Sequence, residues 1–445
     1  MLEKIERILS PIAIKLGNNK VLISIRDGFL VTTPLLIVAS IFLVIANFPI
    51  KGYDAFVARL FGEGWASRLS PIINSTFGVI ALVGSMGIGY SYAKQLKVDP
   101  IAGGAVSLVA FLILTPQSHT LGENVSFKGF AFGNLGSAGL FVAMISALIA
   151  VKIFASITKK GWVIKLPEGV PPAVTNSFAA LIPSAFVMFT FLLINIIFSF
   201  TGYEYAHNFV YQILQAPLVK FGRSVIFEPI YQFLSTLFWF FGINGPAVTN
   251  TIFAPIHLSL TTENLEAFQA GMKLPNIFTG PFGDFFGNFG GGGSTLSLVL
   301  LMIFRGKSER MKKLGKLSIL PGIFGINEMV IFGLPVVLNP IILIPFLTVP
   351  LMNIILSTIV TKIGIIPYTT GASLPWTTPL FFSGWLSTGS IIAGVFQILL
   401  VFLGCLVYYP FFKVLDNQFL GDETTKVDKK GDELDDMSLD DISFD

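Results

Sequence analysis

The feature that most constrains this chain is a series of long apolar segments that carry almost no charged residues. A helix needs about 20 mostly apolar residues to cross the hydrocarbon core of a bilayer. Charged residues make up only 12% of the chain, whereas ordinary soluble proteins carry about a quarter. A soluble fold of this length would lack the polar surface that water requires, so the sequence predicts an integral membrane protein with several spans.

Composition and motifs exclude several other classes. The chain is 53% hydrophobic and has a single cysteine, Cys405, which rules out disorder and a disulfide scaffold. Its net charge of +3 is too small for a nucleic-acid binder. His119, His207 and His257 do not cluster in the sequence, so no metal site is predicted. The glycine run at 290–293 lacks the Gly-Lys-Ser/Thr ending of a phosphate loop, so we expect no nucleotide site and no other cofactor.

We predict an all-α polytopic membrane protein of about ten transmembrane helices, with a cavity near the membrane midplane. Two of the predicted spans, 101–114 and 295–304, are short. The predicted spans are 29–48, 72–93, 101–114, 133–154, 178–200, 226–243, 295–304, 329–344, 346–360 and 391–412.

Basic residues indicate the orientation, because positively charged loops stay in the cytoplasm. The N-terminus and the links at 94–97, 152–165 and 305–316 are basic, whereas the alternating links mix both signs. We therefore expect the N-terminus to be cytoplasmic.

The two ends of the chain differ from the rest of the predicted transmembrane domain, 1–420. Residues 1–26 are amphipathic, which fits a helix lying on the cytoplasmic membrane surface or one packed on the protein itself. Residues 421–445 are acidic and polar, which predicts a disordered cytoplasmic tail.

The apolar pattern breaks down in two segments, 245–294 and 365–390, which are rich in proline and glycine. Irregular backbone at membrane depth is tolerated where it is buried in protein or lines a cavity, and broken segments often mark a transport site. We interpret both as re-entrant hairpins or extended loops around a substrate cavity. A folded extracellular loop is the alternative.

Two copies of Phe-Gly-Ile-Asn, at 241–244 and 324–327, each end an apolar run. The breaks expose backbone groups that can bind polar ligands, so Asn244 and Asn327 are candidate substrate-binding residues, although chance repetition is the alternative. Glu328 follows the second copy among apolar residues. A carboxylate there is costly and marks a functional site, either as a sugar ligand or as a general base. A structural carboxylate at a backbone break is the alternative.

Further candidates lie in the broken segments. Asp284 and Asn288 occupy apolar, glycine-rich surroundings, and a turn cap is the role that Asp284 fits best. Trp376 and Thr377 stand in Pro-Trp-Thr-Thr-Pro, where the indole offers a flat face to a sugar ring and the hydroxyl meets its polar edge. An aromatic residue of the membrane interface is the alternative for Trp376. Glu228, before Pro229 near a span start, is interpreted as interfacial.

Six segments together resemble enzyme IIC, the membrane subunit of bacterial phosphoenolpyruvate-dependent sugar phosphotransferase systems, in the lactose/cellobiose/diacetylchitobiose branch. The resemblance extends from about residue 20 to about residue 412. The segments are Arg26-Asp-Gly-Phe-Leu-Val-Thr-Thr-Pro-Leu-Leu36, Lys97-Val-Asp-Pro100, Val170-Pro-Pro-Ala-Val-Thr-Asn-Ser-Phe178, Trp239-Phe-Phe-Gly-Ile-Asn-Gly245, Gly325-Ile-Asn-Glu328 through Phe332-Gly-Leu-Pro335, and Pro375-Trp-Thr-Thr378.

The resemblance implies a homodimer in the bacterial cytoplasmic membrane, in contact with lipid, with two re-entrant hairpins and a buried disaccharide site. It implies that the sugar 6-hydroxyl takes a phosphoryl group from a phosphocysteine of enzyme IIB, which is charged by enzyme IIA, so the chain is not an enzyme on its own. The sugar-binding glutamate of the family corresponds to Glu328 and its tryptophan to Trp376. The chain lacks a cysteine after its last span, so we expect a separate enzyme IIB.

The chain departs from the family at Asn244, where members usually carry a histidine beside the phosphorylated hydroxyl. An amide donates and accepts hydrogen bonds but does not take up a proton. Glu328 then serves as the base, or the loose phosphoryl-transfer transition state needs little base help, or the transfer is impaired. A proton-coupled or facilitative sugar transporter, and a sugar sensor, are the alternatives that Asn244 leaves open.

Overall fold

The computed structural model describes residue 15 and residues 18–50, 52–121, 125–334 and 336–435. The regular secondary structure of this part is helical apart from one β-hairpin. In the hairpin, β1 (Ser118–Leu121) pairs antiparallel with β2 (Val125–Lys128), and Ser118 stands opposite Lys128. The helical fold class predicted from the sequence is therefore confirmed, with this hairpin as an addition in the predicted link between two spans.

Twenty α-helices follow one another along the described chain. They are α1 (Lys20–Leu30), α2 (Thr33–Ala46), α3 (Tyr53–Phe61), α4 (Ser70–Asn74), α5 (Ile80–Gln95), α6 (Pro100–Leu114), α7 (Phe132–Leu135), α8 (Leu140–Lys159), α9 (Pro172–Ser199), α10 (Ala206–Val210), α11 (Ala216–Gly222), α12 (Phe227–Phe240), α13 (Gly245–Gln269), α14 (Gly280–Gly287), α15 (Leu296–Arg305), α16 (Glu309–Ile323), α17 (Glu328–Gly333), α18 (Pro340–Lys362), α19 (Phe382–Thr388) and α20 (Ile391–Asp435). Short 3₁₀ turns at Trp65–Leu69, Phe77–Val79 and Ser137–Gly139, and a π-turn at Tyr211–Gln215, connect some of them.

Six helical stretches of the described chain are long and apolar enough to cross a membrane, and α6 and α15 are shorter apolar helices. The six stretches are Lys20–Ala46, Trp65–Gln95, Ser137–Lys159, Pro172–Ser199, Pro340–Lys362 and Ile391–Thr424. A multi-pass membrane architecture is thus confirmed. The first stretch begins at Lys20 and so includes residues 20–26 of the predicted N-terminal amphipathic segment; residues 1–14, 16 and 17 of that segment lie outside the described residues.

The predicted span 329–344 is wrong, whereas the predicted span 346–360 lies inside α18, which is long and apolar enough to cross a membrane. α17 ends at Gly333 after six residues, and a single helix, α18, starts at Pro340. Proline favours the first position of a helix because its missing N–H would be unpaired there. The Asn339 side chain accepts a hydrogen bond from the backbone N–H of Ile341 (3.0 Å) and so caps the start. The predicted boundary between the two spans is Pro345, which lies in the interior of α18.

The segment 245–294, predicted to be broken throughout, starts with the 25-residue helix α13. The buried face of this helix carries polar residues, which lower its hydropathy, so the helix is not predicted as a span from the sequence. The threonines among them satisfy their hydroxyls within the helix: Thr249 donates to the Gly245 carbonyl (3.0 Å) and Thr261 to the His257 carbonyl (2.6 Å). The remainder of the segment is irregular around α14, as predicted, and Gly293 has φ +81° where a side chain would collide with Phe346.

The acidic tail, predicted to be disordered from residue 421, continues α20 as far as Asp435. Residues 436–445 lie outside the described residues. Residues 421–435 extend a helix that is already formed, and elongation of an existing helix is far easier than nucleation. Side chains of this helix also bind the start of α16, since Glu423 accepts hydrogen bonds from the backbone N–H groups of Glu309 (3.0 Å) and Arg310 (2.9 Å).

Two main apolar clusters stabilise the fold. The first joins α1, α2, α5, α6 and α8 to α13 and α14, with Phe111, Phe141 and Phe286 fully buried. The second joins α12, α15, α17, α18 and α20 around Phe346 and Tyr408. Helix α14 belongs to the first cluster and also packs on α18, so the irregular segments are held between the two halves.

Candidate functional site

A cavity of about 500 Å³ opens between α1, α2, α13, α14 and the irregular segment that ends at residue 381. This volume lies within the roughly 300–1,000 Å³ typical of small-molecule sites. Most of its wall is apolar, and the polar side chains include Tyr231, Asn250, His257 and Asp284, with Trp376 at one side. An apolar, aromatic wall with a few polar groups suits an uncharged ligand that carries hydroxyls.

Helix α13 brings Asn250 and His257 to this cavity, and its start is fixed by Asn244. The Asn244 side chain accepts a hydrogen bond from the backbone N–H of Ala247 (3.0 Å), which is an N-cap. Gly245 permits the close approach behind this turn, because a Cβ there would overlap the carbonyl of Ser235 on α12. The cap therefore sets where the cavity wall begins.

The irregular segment before α19 is held by side chains from three helices. Asn264 of α13 donates to the Thr369 carbonyl (2.9 Å), and Ser40 of α2 accepts from the Ser373 backbone N–H (2.8 Å). Gln397 of α20 accepts from the backbone N–H groups of Phe381 (2.9 Å) and Gly384 (3.1 Å). These bonds satisfy backbone groups that a helix would otherwise pair, and they fix Trp376 beside the cavity.

Glu228 and His257 form a buried pair in the wall of this cavity. The Glu228 carboxylate lies 2.8 Å from His257 Nε2 and is fully buried. The interpretation of Glu228 as interfacial is therefore wrong. The proline that follows it at the start of α12 suggested a membrane boundary, and nothing in the sequence spacing connects it to a histidine 29 residues later.

A second, smaller cavity of about 30 Å³ shares Asp284 and Trp376 with the first and adds Asn288 and Thr378. Asn288 donates to Gln232 Oε1 (2.6 Å), and Gln232 Nε2 donates to Glu228 Oε1 (3.0 Å). Three of the predicted site residues, Asp284, Asn288 and Trp376, are thus brought together, each on a broken segment.

Four other predicted residues line neither cavity. Asn244 is the cap of α13. Asn327 is buried and donates to the Gly292 carbonyl (2.8 Å) and to Thr295 Oγ1 (3.1 Å), so it braces the glycine-rich loop. Glu328 is exposed and Thr377 is half-buried. Gly325, in the turn before Glu328, lies beside Trp376, since a Cβ on Gly325 would contact the Trp376 ring at 3.5 Å. Glu328 therefore follows, in the chain, a residue that borders the site.

Comparison with known proteins identifies the family. The family model described as "Phosphotransferase system, EIIC" matches residues 26–350. The chain belongs to the EIIC family of the phosphotransferase system. An EIIC protein works with EIIB and EIIA partners and a sugar substrate, so the phosphotransferase interpretation holds over the alternatives of a secondary transporter or a sensor.

Relatives of this EIIC chain match it along nearly its whole length. A protein of Geobacillus stearothermophilus named "PTS system cellobiose-specific EIIC component" is 42% identical, covering 94% of this chain and 95% of its own. The "Lichenan permease IIC component" of Bacillus subtilis is 40% identical, covering 94% of each chain. The crystal structure of ChbC, the IIC component of an N,N'-diacetylchitobiose-specific system, superposes with a TM-score of 0.92 at 42% identity, covering 94% of this chain and 99% of that one.

Proposed function

We propose that this EIIC chain imports a disaccharide of the cellobiose, lactose and diacetylchitobiose class, and presents its 6-hydroxyl to a separate phosphorylated EIIB. The observation that carries the proposal is the aromatic and polar cavity of about 500 Å³ between broken segments. The sugars named for its relatives, cellobiose, lichenan and diacetylchitobiose, support a β-linked disaccharide.

The sugar is bound by residues of both irregular segments. Trp376, whose side chain is 61% exposed and lines both cavities, stacks against the apolar face of one sugar ring. Asp284 and Asn288 bind hydroxyl groups from the opposite side. Thr377, Asn327 and Glu328 adjoin this site in the chain and bind or position the end of the sugar that is phosphorylated.

Phosphoryl transfer on this chain needs positioning more than proton abstraction. The S–P bond of the EIIB phosphocysteine breaks as the O–P bond to the sugar forms, through a loose transition state. Glu328, which is exposed before sugar arrives, accepts the hydroxyl proton or orients the hydroxyl. Asn244, at the N-terminus of α13, orients the same hydroxyl through its amide nitrogen while its oxygen caps the helix.

The proposed topology has about ten transmembrane crossings and two re-entrant segments, within 245–294 and 365–390. The irregular backbone around α14 and before α19, at the cavity, supports this arrangement. The N-terminus and the basic loop 305–316 face the cytoplasm in this proposal, where the loop docks EIIB.

A homodimer is part of the proposal. Helix α9 is apolar and has only three buried residues among its 28, which leaves most of its surface to lipid or to a second subunit. A groove of about 570 Å³ between α6 and α9 carries Asp99, Asn176, Ser177 and Ser184 among apolar side chains. Polar groups in such a groove favour a protein partner over lipid alone.

A direct binding experiment tests the substrate class. Purified protein in detergent is titrated separately with radiolabelled cellobiose, lactose, diacetylchitobiose, maltose and glucose. The proposal expects saturable binding of at least one of the β-linked disaccharides, and weak binding of maltose and glucose. Saturable binding of maltose alone would overturn the substrate class without touching the family assignment.

A further inference from the structure

A row of hydrogen bonds crosses the wall between the two cavities. It passes from His257 on α13 through Glu228 and Gln232 on α12 to Asn288 after α14, with donor–acceptor distances of 2.8, 3.0 and 2.6 Å. Glu228 and Gln232 are 0% and 1% exposed, and the two ends of the row reach the larger and the smaller cavity. The row is therefore a buried connection between two ligand-facing groups.

The direction of the bonds is fixed on the Asn288 side. Gln232 Nε2 lies 3.0 Å from Glu228 Oε1 and 3.2 Å from the Gly283 carbonyl, and a carboxylate and a carbonyl only accept. Gln232 must therefore donate with its nitrogen and accept with its oxygen, so Asn288 donates to it. The Oδ1 atom of Asn288 remains as an acceptor, and it is buried without a partner among the described residues.

The same carboxylate fixes the His257 side. Glu228 Oε2 accepts from His257 Nε2, which leaves Nδ1 as the ring nitrogen that can contact a ligand in the larger cavity. Edge-to-face contacts with Phe227 and Tyr231, at ring centroid distances of 5.0 Å each, restrict rotation of the imidazole. The Asn288 end thus offers its Oδ1 as an unpartnered acceptor, beside the second N–H of the same amide, and the His257 end offers Nδ1.

We propose that Glu228 holds both ends of this row in position, and that Asn288 Oδ1 selects a sugar hydroxyl that donates, while His257 Nδ1 contacts the sugar in the larger cavity. The inference rests on the proposed sugar substrate and adds the polarity of its site. Glu228 and Gln232 are positioning residues, whereas His257 and Asn288 determine specificity. A ligand without the donating hydroxyl leaves a buried acceptor unpaired, which a site of this kind rejects strongly.

Gly283 is the sequence feature that makes the row possible. A Cβ at this position would collide with Glu228 Oε1, so the carboxylate approaches α14 only because residue 283 has no side chain. Gly283→Ala is expected to displace Glu228 and to weaken sugar binding in the same way as a change of Glu228 itself.

Sugar analogues test the polarity. A deoxyfluoro sugar accepts weakly but does not donate, so we measure binding of cellobiose and its set of monodeoxy and monodeoxyfluoro analogues by purified wild-type protein. We expect one or more positions at which both replacements lower affinity about tenfold. In Glu228→Gln, which keeps the shape but can donate to either neighbour, we expect cellobiose affinity to fall about tenfold and the loss caused by fluorine at that position to shrink.

Two further variants keep the test decisive. Glu263→Gln, which changes a glutamate that bonds to Arg223 and Asn276 away from both cavities, is expected to leave the analogue pattern unchanged. Asn288→Ala, at the less buried end of the row, replaces Glu228→Gln if that variant does not fold, and is expected to remove the penalty at one hydroxyl. Full affinity for every fluorinated analogue, or an unchanged pattern in both Glu228→Gln and Asn288→Ala, overturns the inference. Absence of binding for cellobiose and the related disaccharides contradicts the proposed substrate class instead.

Discussion

Asp416, inside α20, binds Ser308 at the start of α16: the backbone N–H of Ser308 donates to Asp416 Oδ1 at 3.0 Å, and that of Lys307 to Oδ2 at 2.8 Å. Asp416 is 3% exposed. The acceptor lies at the start of α16, where unpaired N–H groups and the helix dipole favour a negative charge. α20 is thereby tied to the helix that leads into Gly325 and Glu328.

Replacing this carboxylate is expected to destabilise the protein. Asp416→Asn removes the charge and turns a donor toward one N–H group, so we expect a loss of about 1–3 kcal/mol in the free energy of unfolding. Thermal unfolding in detergent measures it. Glu423→Gln is the matched control, because Glu423 accepts from the next two N–H groups in an exposed setting, and it should cost less. Equal losses in the two variants would contradict the importance of burial at Asp416.

Asn244 has two roles that variants separate. Asn244→Ala removes both the cap and the amide, whereas Asn244→Ser keeps an oxygen that caps the helix. We expect alanine to lower thermal stability by about 1 kcal/mol and serine to restore most of it. Both variants should weaken sugar binding and phosphorylation together, by about 0.5–1.5 kcal/mol. If the serine variant binds sugar like the wild type, Asn244 acts as a cap only.

Glu328 is exposed, and the proposed function expects it to contact the sugar on binding. Glu328→Gln should weaken binding by about 1–3 kcal/mol, the range for loss of a charged hydrogen bond. Equilibrium binding by purified protein measures this, with Glu309→Gln as a control on another exposed glutamate. Unchanged affinity in Glu328→Gln would remove this residue from the binding site.

The orientation of the basic loop is testable with a single cysteine. Ser308 is a poor position for it, because Ser308 is fully buried and its hydroxyl accepts from the Met311 N–H (3.1 Å). Lys313, on α16 within the same basic segment, is exposed. A cysteine there, with Cys405 replaced by alanine, should resist an impermeant label added outside intact cells and react after the membrane is opened. Labelling from outside would show that this segment faces the cell exterior and would contradict the proposed topology.

Apolar run length predicted the helical membrane class and several of the long helices. The stretches 178–200 and 391–412, for example, both lie inside single observed helices or within one residue of their ends. Run length did not predict α13, whose sequence is rich in polar residues, and it placed a boundary at Pro345 in the interior of α18. The buried face of α13 is rich in hydroxyls and amides whose partners are other parts of the protein. A hydropathy scale gives such residues low values and therefore assigns this face to solvent.

The candidate site was predicted only in part for a related reason. Trp376, Asp284 and Asn288 were found because broken, apolar surroundings mark them in the sequence. Glu228 and His257 were missed because their pairing depends on how α12 packs against α13, which no local pattern records. Gly283 is the sequence feature connected with this pair, because it permits the close approach of Glu228 to α14. Its role can be recognised only when the position of α12 is known.

Phosphorylation during uptake tests the central claim most directly. Membrane vesicles containing this protein are loaded with phosphoenolpyruvate, the soluble carriers, EIIA and the cognate EIIB, and radiolabelled disaccharide is added outside. The account predicts that the label inside is sugar phosphate, and that omission of EIIB abolishes its accumulation. Accumulation of unmodified sugar driven by a pH gradient, without phosphoenolpyruvate, would contradict it.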